Sequence, residues 1–325
     1  MSNILSLIVA SVKKALTPAN NPIAQAIRPV VIEKMEGRTL FAVAPAPIEM
    51  PSISVDLFNG SINVNGTSKS DTVKVFGRVV TKTVNTDMGL VSFPVLKADF
   101  VVNGMLFSYT GANSSEWFTV NTGAGNDVVE VSIVTGGAFG YYAGLINTGA
   151  GLDKVLLNQA DQSVTVDTGN DADYVKELDD PNKARHNILL GSGNDVAVVV
   201  DDYVDAGSGD DKVYAAHSIF ANPKDNFGSV IYAGDGNDTV YGGTGDDFIS
   251  GGRGKDTMFA GLGNDTFLYN AYEVKDPDNA NGGAGTDSAV QYIDISRGET
   301  LVKYPGIFSS VEIKTSYKFD GNSKG

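Results

Sequence analysis

Aspartate is the residue type in this chain whose spacing could do chemistry. Between residues 233 and 268 it returns every nine positions, in AGDGNDTVY, GGTGDDFIS, GGRGKDTMF and AGLGNDTFL. The sixth position is Asp238, Asp247, Asp256 and Asp265; the eighth is apolar, Val240, Ile249, Met258 and Phe267. Glycine holds the second position (Gly234, Gly243, Gly252, Gly261) and the fourth (Gly236, Gly245, Gly254, Gly263). A carboxylate at the end of a tight turn is hard anionic oxygen, the kind of ligand calcium takes. Glycine reaches positive φ, so the turn can aim its backbone carbonyls inward beside that carboxylate. The candidate metal ligands are therefore these four aspartate side chains and the carbonyls of these eight glycines. The three residues after each aspartate suit a short strand whose middle side chain enters a core.

One nonapeptide is then one turn and one strand, and two make a coil of a flattened parallel solenoid. Asp238 and Asp256 fall on one edge, Asp247 and Asp265 on the other. Neighbouring coils lie about 4.8 Å apart. Carboxylates at that spacing repel by about 3 kcal/mol at an effective dielectric near 20, and a divalent cation shared by two turns reverses the sign.

The pattern resembles the hemolysin-type, or RTX, calcium-binding repeat GGxGxDxUx. The resemblance implies an all-β fold, a right-handed parallel β-helix or β-roll solenoid with glycine-rich calcium turns. It also implies Ca2+ held by turn carbonyls and aspartate oxygens.

Looser turns extend the series. TGAGND ends at Asp127, TGAGLD at Asp153, VDTGND at Asp171, LGSGND at Asp195, AGSGDD at Asp211 and GGAGTD at Asp287. One edge is expected to carry Asp127, Asp153, Asp171, Asp195, Asp211, Asp238 and Asp256. Asp173 then breaks the eighth position after Asp171, which predicts a bulge or an empty site there. The opposite edge, with unlike turns at 135–140, 158–162 and 179–185 and an insertion at 217–229, gains the motif only from Asp247 through Asp265 to Asp287.

Four regions are expected. Residues 1–52 form a targeting or lead-in segment, helical or disordered. Residues 53–121 form N-terminal β coils and a cap, with Asp71 before Thr-Val as an opening coil. Residues 122–288 form the solenoid with its strict repeats at 233–268, and 289–325 a β cap and tail. The apolar run in MSNILSLIVASVKK precedes its basic pair, a poor layout for a secretory signal. IEKMEGRTLFA (32–42) resembles a sorting motif of bacterial surface proteins.

The chain has 325 residues, 38 glycines, no cysteine and a formal net charge of −15. The charge argues against nucleic acid as a partner, and no stretch is long enough to span a bilayer as a helix. Without cysteine there is no disulfide framework, so metal or a long stack must supply stability. His186 and His217 stand far apart, and HExxH, GxSxG and P-loop signatures are missing. Lys154, Lys176, Asp202, Tyr203 and Lys212 could line one face, as scattered residues on any solenoid could. The third repeat position, Asp235, Thr244, Arg253 and Leu262, lacks the threonine column of an ice-binding solenoid. The expected function is a non-enzymatic, secreted or cell-surface calcium-binding solenoid with a structural, adhesive or matrix role. Calcium is its partner, with cell-surface polysaccharide or self-assembly as further partners. The alternative is a β-helix lyase or epimerase acting on polysaccharide.

Overall fold

Short β-branched runs between glycine turns have one way to bury their apolar side, which is to stack. A computed structural model describes residues 49–55, 61–87, 89–110, 117–134, 143–178, 184–216, 227–270, 278–294, 307–310 and 313–319. Among these, twenty-four strands form two twelve-stranded sheets. From Trp117–Asn121 onward, successive strands alternate between the sheets, and each pairs in parallel with the strand two places on. This is the expected parallel β-solenoid. Residues 1–48 of the lead-in, with the 32–42 motif, lie outside the described residues, as do 135–140, 179–183 and 217–226.

Antiparallel strands close the N-terminal end. Ser52–Val55 pairs antiparallel with Ile62–Asn65 in one sheet. In the other, Thr72–Thr86 pairs with Gly89–Val102, and that strand with Met105–Thr110. At the other end Ser288–Asp294, Ile307–Ser309 and Ile313–Phe319 continue the parallel pairing.

Each coil contributes one side chain to each of two apolar rows. Val129, Val155, Val175, Ala197, Val213, Val240, Met258 and Ala280 are in register in one sheet, all at most 2% exposed. Val120, Ile146, Val166, Ile188, Val204, Ile231, Ile249 and Phe267 face them from the other. On the outer face, Tyr214, Tyr241 and Phe259 stack with ring centroids 5.1 Å apart. Ile249→Ala is expected to cost about 2 to 5 kcal/mol in calcium, from lost burial and the cavity left. Tyr241→Ala, at 39% exposure, should cost about 1 kcal/mol or less. Chemical denaturation of the two variants checks the difference.

Candidate metal centre: carboxylate ladders on two edges

The turns leading from one sheet to the other stack in register and bring their aspartates into a column. The backbone N–H of Asp71 donates to Oδ1 of Asp127, Asp127 to Asp153, Asp153 to Asp173, and Asp173 to Asp195. The chain of bonds continues through Asp211, Asp238 and Asp256 to Asp278, at 2.6 to 3.0 Å throughout. The return turns make a second column, in which Ser229 donates to Asp247, Asp247 to Asp265, and Asp265 to Asp287. Asp238 and Asp256 therefore share one edge and Asp247 and Asp265 the other, each pair eighteen residues apart.

Asp171 does not stand in the column; Asp173 does. In TGNDAD the turn begins at Gly169, and Asp171 occupies the place of the second glycine with φ 77°. It is exposed, whereas Asp173 is 3% exposed and Val175 fills the apolar row behind it. Aspartate is among the few residues that tolerate that left-handed backbone. There is no break at Asp173: the motif is shifted by two residues, and the apolar row at Val175 marks the frame.

The second edge also starts earlier than Asp247. His186 and Asp202 occupy the aspartate column there, and the His186 N–H donates to Asp202 Oδ1 at 2.8 Å. His186 Nδ1 accepts the Val164 N–H at 3.1 Å, while Nε2 lies 3.4 Å from Glu177 Oε1. Asp278, in KDPDNA, was missed by motif reading because no glycines precede it. Of the scattered residues, Lys154, Lys176 and Lys212 lie on the outer face of one sheet, Tyr203 belongs to the other sheet, and Asp202 is buried in an edge turn.

In ten of these carboxylates one oxygen is thus spent on the neighbouring coil. The other is not. Oδ2 of Asp127, Asp153, Asp173, Asp195, Asp211, Asp238 and Asp256 on the first edge is buried without a hydrogen-bond partner. The same holds for Asp247, Asp265 and Asp287 on the second. Leaving such an oxygen dry and unpaired is costly. Burial therefore pushes Asp173, Asp211, Asp238 and Asp256 up to about 7, Asp247 to about 8, and Asp195 and Asp265 to about 6. Asp127 and Asp153 are raised by the same cause. Hydrogen bonds from the preceding coil offset part of the effect, while neighbouring carboxylates add to it at Asp238, Asp247 and Asp256.

The turns are built around those oxygens. At Gly242 a Cβ would come within 2.5 Å of Asp247 Oδ2, and at Gly251 it would strike Asp256 Oδ2. At Gly252, with φ 102°, it would strike the carbonyl of Gly234 one coil back. Turn carbonyls at the second position accept one N–H from the next coil, as Gly207 does from Asp235 at 2.8 Å. A carbonyl oxygen keeps a second lone pair for another partner. Orphaned carboxylate oxygens beside backbone carbonyls, with no nitrogen or sulfur donor in the turn, fit a hard divalent cation.

Fold and site together define a two-sheet parallel β-solenoid with acidic metal turns on both edges. Residues 201–216 and 232–267 match the RTX calcium-binding nonapeptide repeat, in four copies. The chain carries RTX repeats, and these are calcium-binding motifs. No curated protein matches the chain.

The raised carboxyls set a pH dependence for the calcium-free protein. Groups whose folded pKa exceeds the unfolded value of about 4 stabilise the fold below that value and lose the contribution as pH rises through 6 to 8. In chelator, the melting temperature followed by circular dichroism should fall between pH 5 and pH 8. With calcium in excess the trend should flatten or reverse, because the cation takes the ionised form.

Proposed function

We propose that this chain is a calcium-folded solenoid acting outside the cell or at its surface, with a structural, adhesive or matrix role and no enzymatic one. The observation that carries the reading is the pair of edge columns in which ten buried carboxylates, seven on the first edge and three on the second, keep one unpaired oxygen. Asp238 and Asp256 on one edge and Asp247 and Asp265 on the other would hold calcium. Carbonyls of Gly234, Gly236, Gly243, Gly245, Gly252, Gly254, Gly261 and Gly263 would complete the coordination. Asp195, Asp211 and Asp287 extend the same chemistry beyond the strict repeats. Proteins with RTX repeats are typically secreted, which supports the destination. Among the described residues no helix is long and apolar enough to cross a membrane.

Bound calcium supplies the positive charge that these turns lack. The chain's own residues do the rest: Oδ1 locks each coil to the one before, and Oδ2 is held ready by burial. In low calcium the columns repel and the chain stays loose. Extracellular modules bind with Kd of roughly 10⁻⁴ to 10⁻³ M, so millimolar calcium outside the cell would fold it. Surface polysaccharide, or further copies of the chain, would be the partners of the folded stack.

Thermal melting by far-UV circular dichroism, titrated with calcium from a chelated start, tests the reading. A β-forming or strongly stabilising transition at sub-millimolar to millimolar calcium is expected, and a melt indifferent to calcium sinks it. Asp256→Asn keeps an oxygen for the Asp238 N–H but removes the charge. Its calcium midpoint should rise about tenfold or more, while its stability in chelator stays the same or improves.

A further inference from the structure

The outer faces of the two sheets carry opposite charge. Lys154, Lys176 and Lys212 point outward beside the buried Val155, Val175 and Val213. From Lys154–Ala160 to Thr257–Leu262 no acidic residue points outward on the strands of that sheet. None of the three lysines has a salt-bridge partner among the described residues, and Lys154 lies over the Tyr174 ring, 5.6 Å from its centroid. The other sheet turns Asp167 and Asp205 outward, in one row with Leu189 between them. Its strands Val164–Asp167, Asn187–Leu189, Tyr203–Asp205 and Phe227–Asp235 contain no lysine or arginine. Aromatic rings follow the charges on both faces. Tyr214, Tyr241 and Phe259 stack on the lysine face, and Tyr203, Tyr232 and Phe248 cluster on the aspartate face with centroids 5.7 and 5.8 Å apart. Charge and ring meet on neighbouring coils, in Lys212–Ala216 on one face and in Tyr203–Asp205 on the other.

We propose that folded copies of this chain stack face to face in one direction, the lysine face of one copy on the aspartate face of the next, so that a row of copies grows without closing. The inference rests on the calcium reading above, because both faces exist only in the folded stack.

Moving one copy along the sheet normal, without rotation, sets lysine against aspartate and ring against ring. Reversing one copy end for end would set rings on unpaired charges, which are desolvated with nothing in return. Sheets packed face to face lie about 10 Å apart. Burial of the rings supplies attraction, and the charges fix the direction. The contact joins two different faces, so one of each stays free at the ends of a row. The matched stretch covers six neighbouring strands of the lysine face, from Lys154–Ala160 to Thr257–Leu262. That is about 24 Å at about 4.8 Å per coil, and contacts of such size are weak. The formal net charge of −15 opposes contact between copies, and bound calcium lowers that opposition.

Sedimentation velocity of the full chain in millimolar calcium, over about 1 to 500 µM protein, tests this. The average mass should climb past that of a dimer at about 0.05 M salt and fall back at about 0.5 M. Lys176→Glu with Lys212→Glu, and Asp167→Lys with Asp205→Lys, should each keep the parent's calcium-dependent melt by circular dichroism and sediment as monomers. Mixed in equal amounts, the two proteins again present opposite charges at every contact and should regain association. Lys176→Gln with Lys212→Gln, which adds no negative charge near the turns, should weaken association at least about fivefold. A chain that folds with calcium yet stays monomeric at every concentration overturns the stacking and leaves the calcium reading intact. So does a parent-like mass in the Asp167→Lys, Asp205→Lys protein, which puts the contact elsewhere. Retention of the monomer on an immobilised uronic-acid polysaccharide, lost with Lys176→Glu and Lys212→Glu, gives the lysine face to a glycan and overturns the stacking too. A melt indifferent to calcium, with the mass still climbing, overturns the calcium reading alone.

Discussion

Coils of this solenoid are tied to the ones before them by buried carboxylates that accept a backbone N–H, and ten of these leave their second oxygen dry. The bond from Asp238 N–H to Asp256 Oδ1 at 2.8 Å satisfies a turn amide that would otherwise be orphaned. It also fixes the carboxylates of successive coils at the strand spacing of about 4.8 Å, where like charges oppose stacking. The structure is held at the edges by groups that are half satisfied and mutually repelling. Calcium binding is the property of the RTX repeat that resolves this conflict.

The narrow turn sequence follows from the same constraint. Coils approach so closely at the turns that a Cβ at Gly252 would collide with the backbone of the coil behind it. Glycine there is a steric requirement before it is a conformational one. Between the turns the demand is looser. One inward side chain per strand must be apolar, and Val, Ile, Met, Phe and Ala all fill the rows. Such a stack is quasi-one-dimensional, and its coils can differ in how much of their stability is apolar and how much is electrostatic.

The two edges show that difference. The first carries an unbroken aspartate column from Asp71 to Asp278, while the second mixes His186, Asp202 and Ser229 into its column before the run from Asp247 to Asp287. His186 stands in an aspartate's place yet uses its ring nitrogens within the protein, towards Val164 and Glu177. An edge position can thus be settled by protein groups or left with the unpaired oxygen that suits a cation.

The nine-residue beat of glycine, aspartate and apolar residue by itself determined that the chain stacks in parallel coils and that Asp238, Asp247, Asp256 and Asp265 divide between two edges. Those features are local: each follows from what one turn and one strand require. Membership of the columns elsewhere is not local. Loop lengths vary between coils, so register is decided by which strand pairs with which. A hexapeptide match selected Asp171, whereas the pairing of Tyr174 with Lys154 and Val196 places Asp173. The same pairing brings His186 and Asp202 into one column and admits Asp278 without a preceding glycine. Tertiary structure also decided the hydrogen-bond partners of the Thr122, Thr148 and Thr168 hydroxyls, carbonyls of the next coil that lie 20 to 26 residues away in sequence.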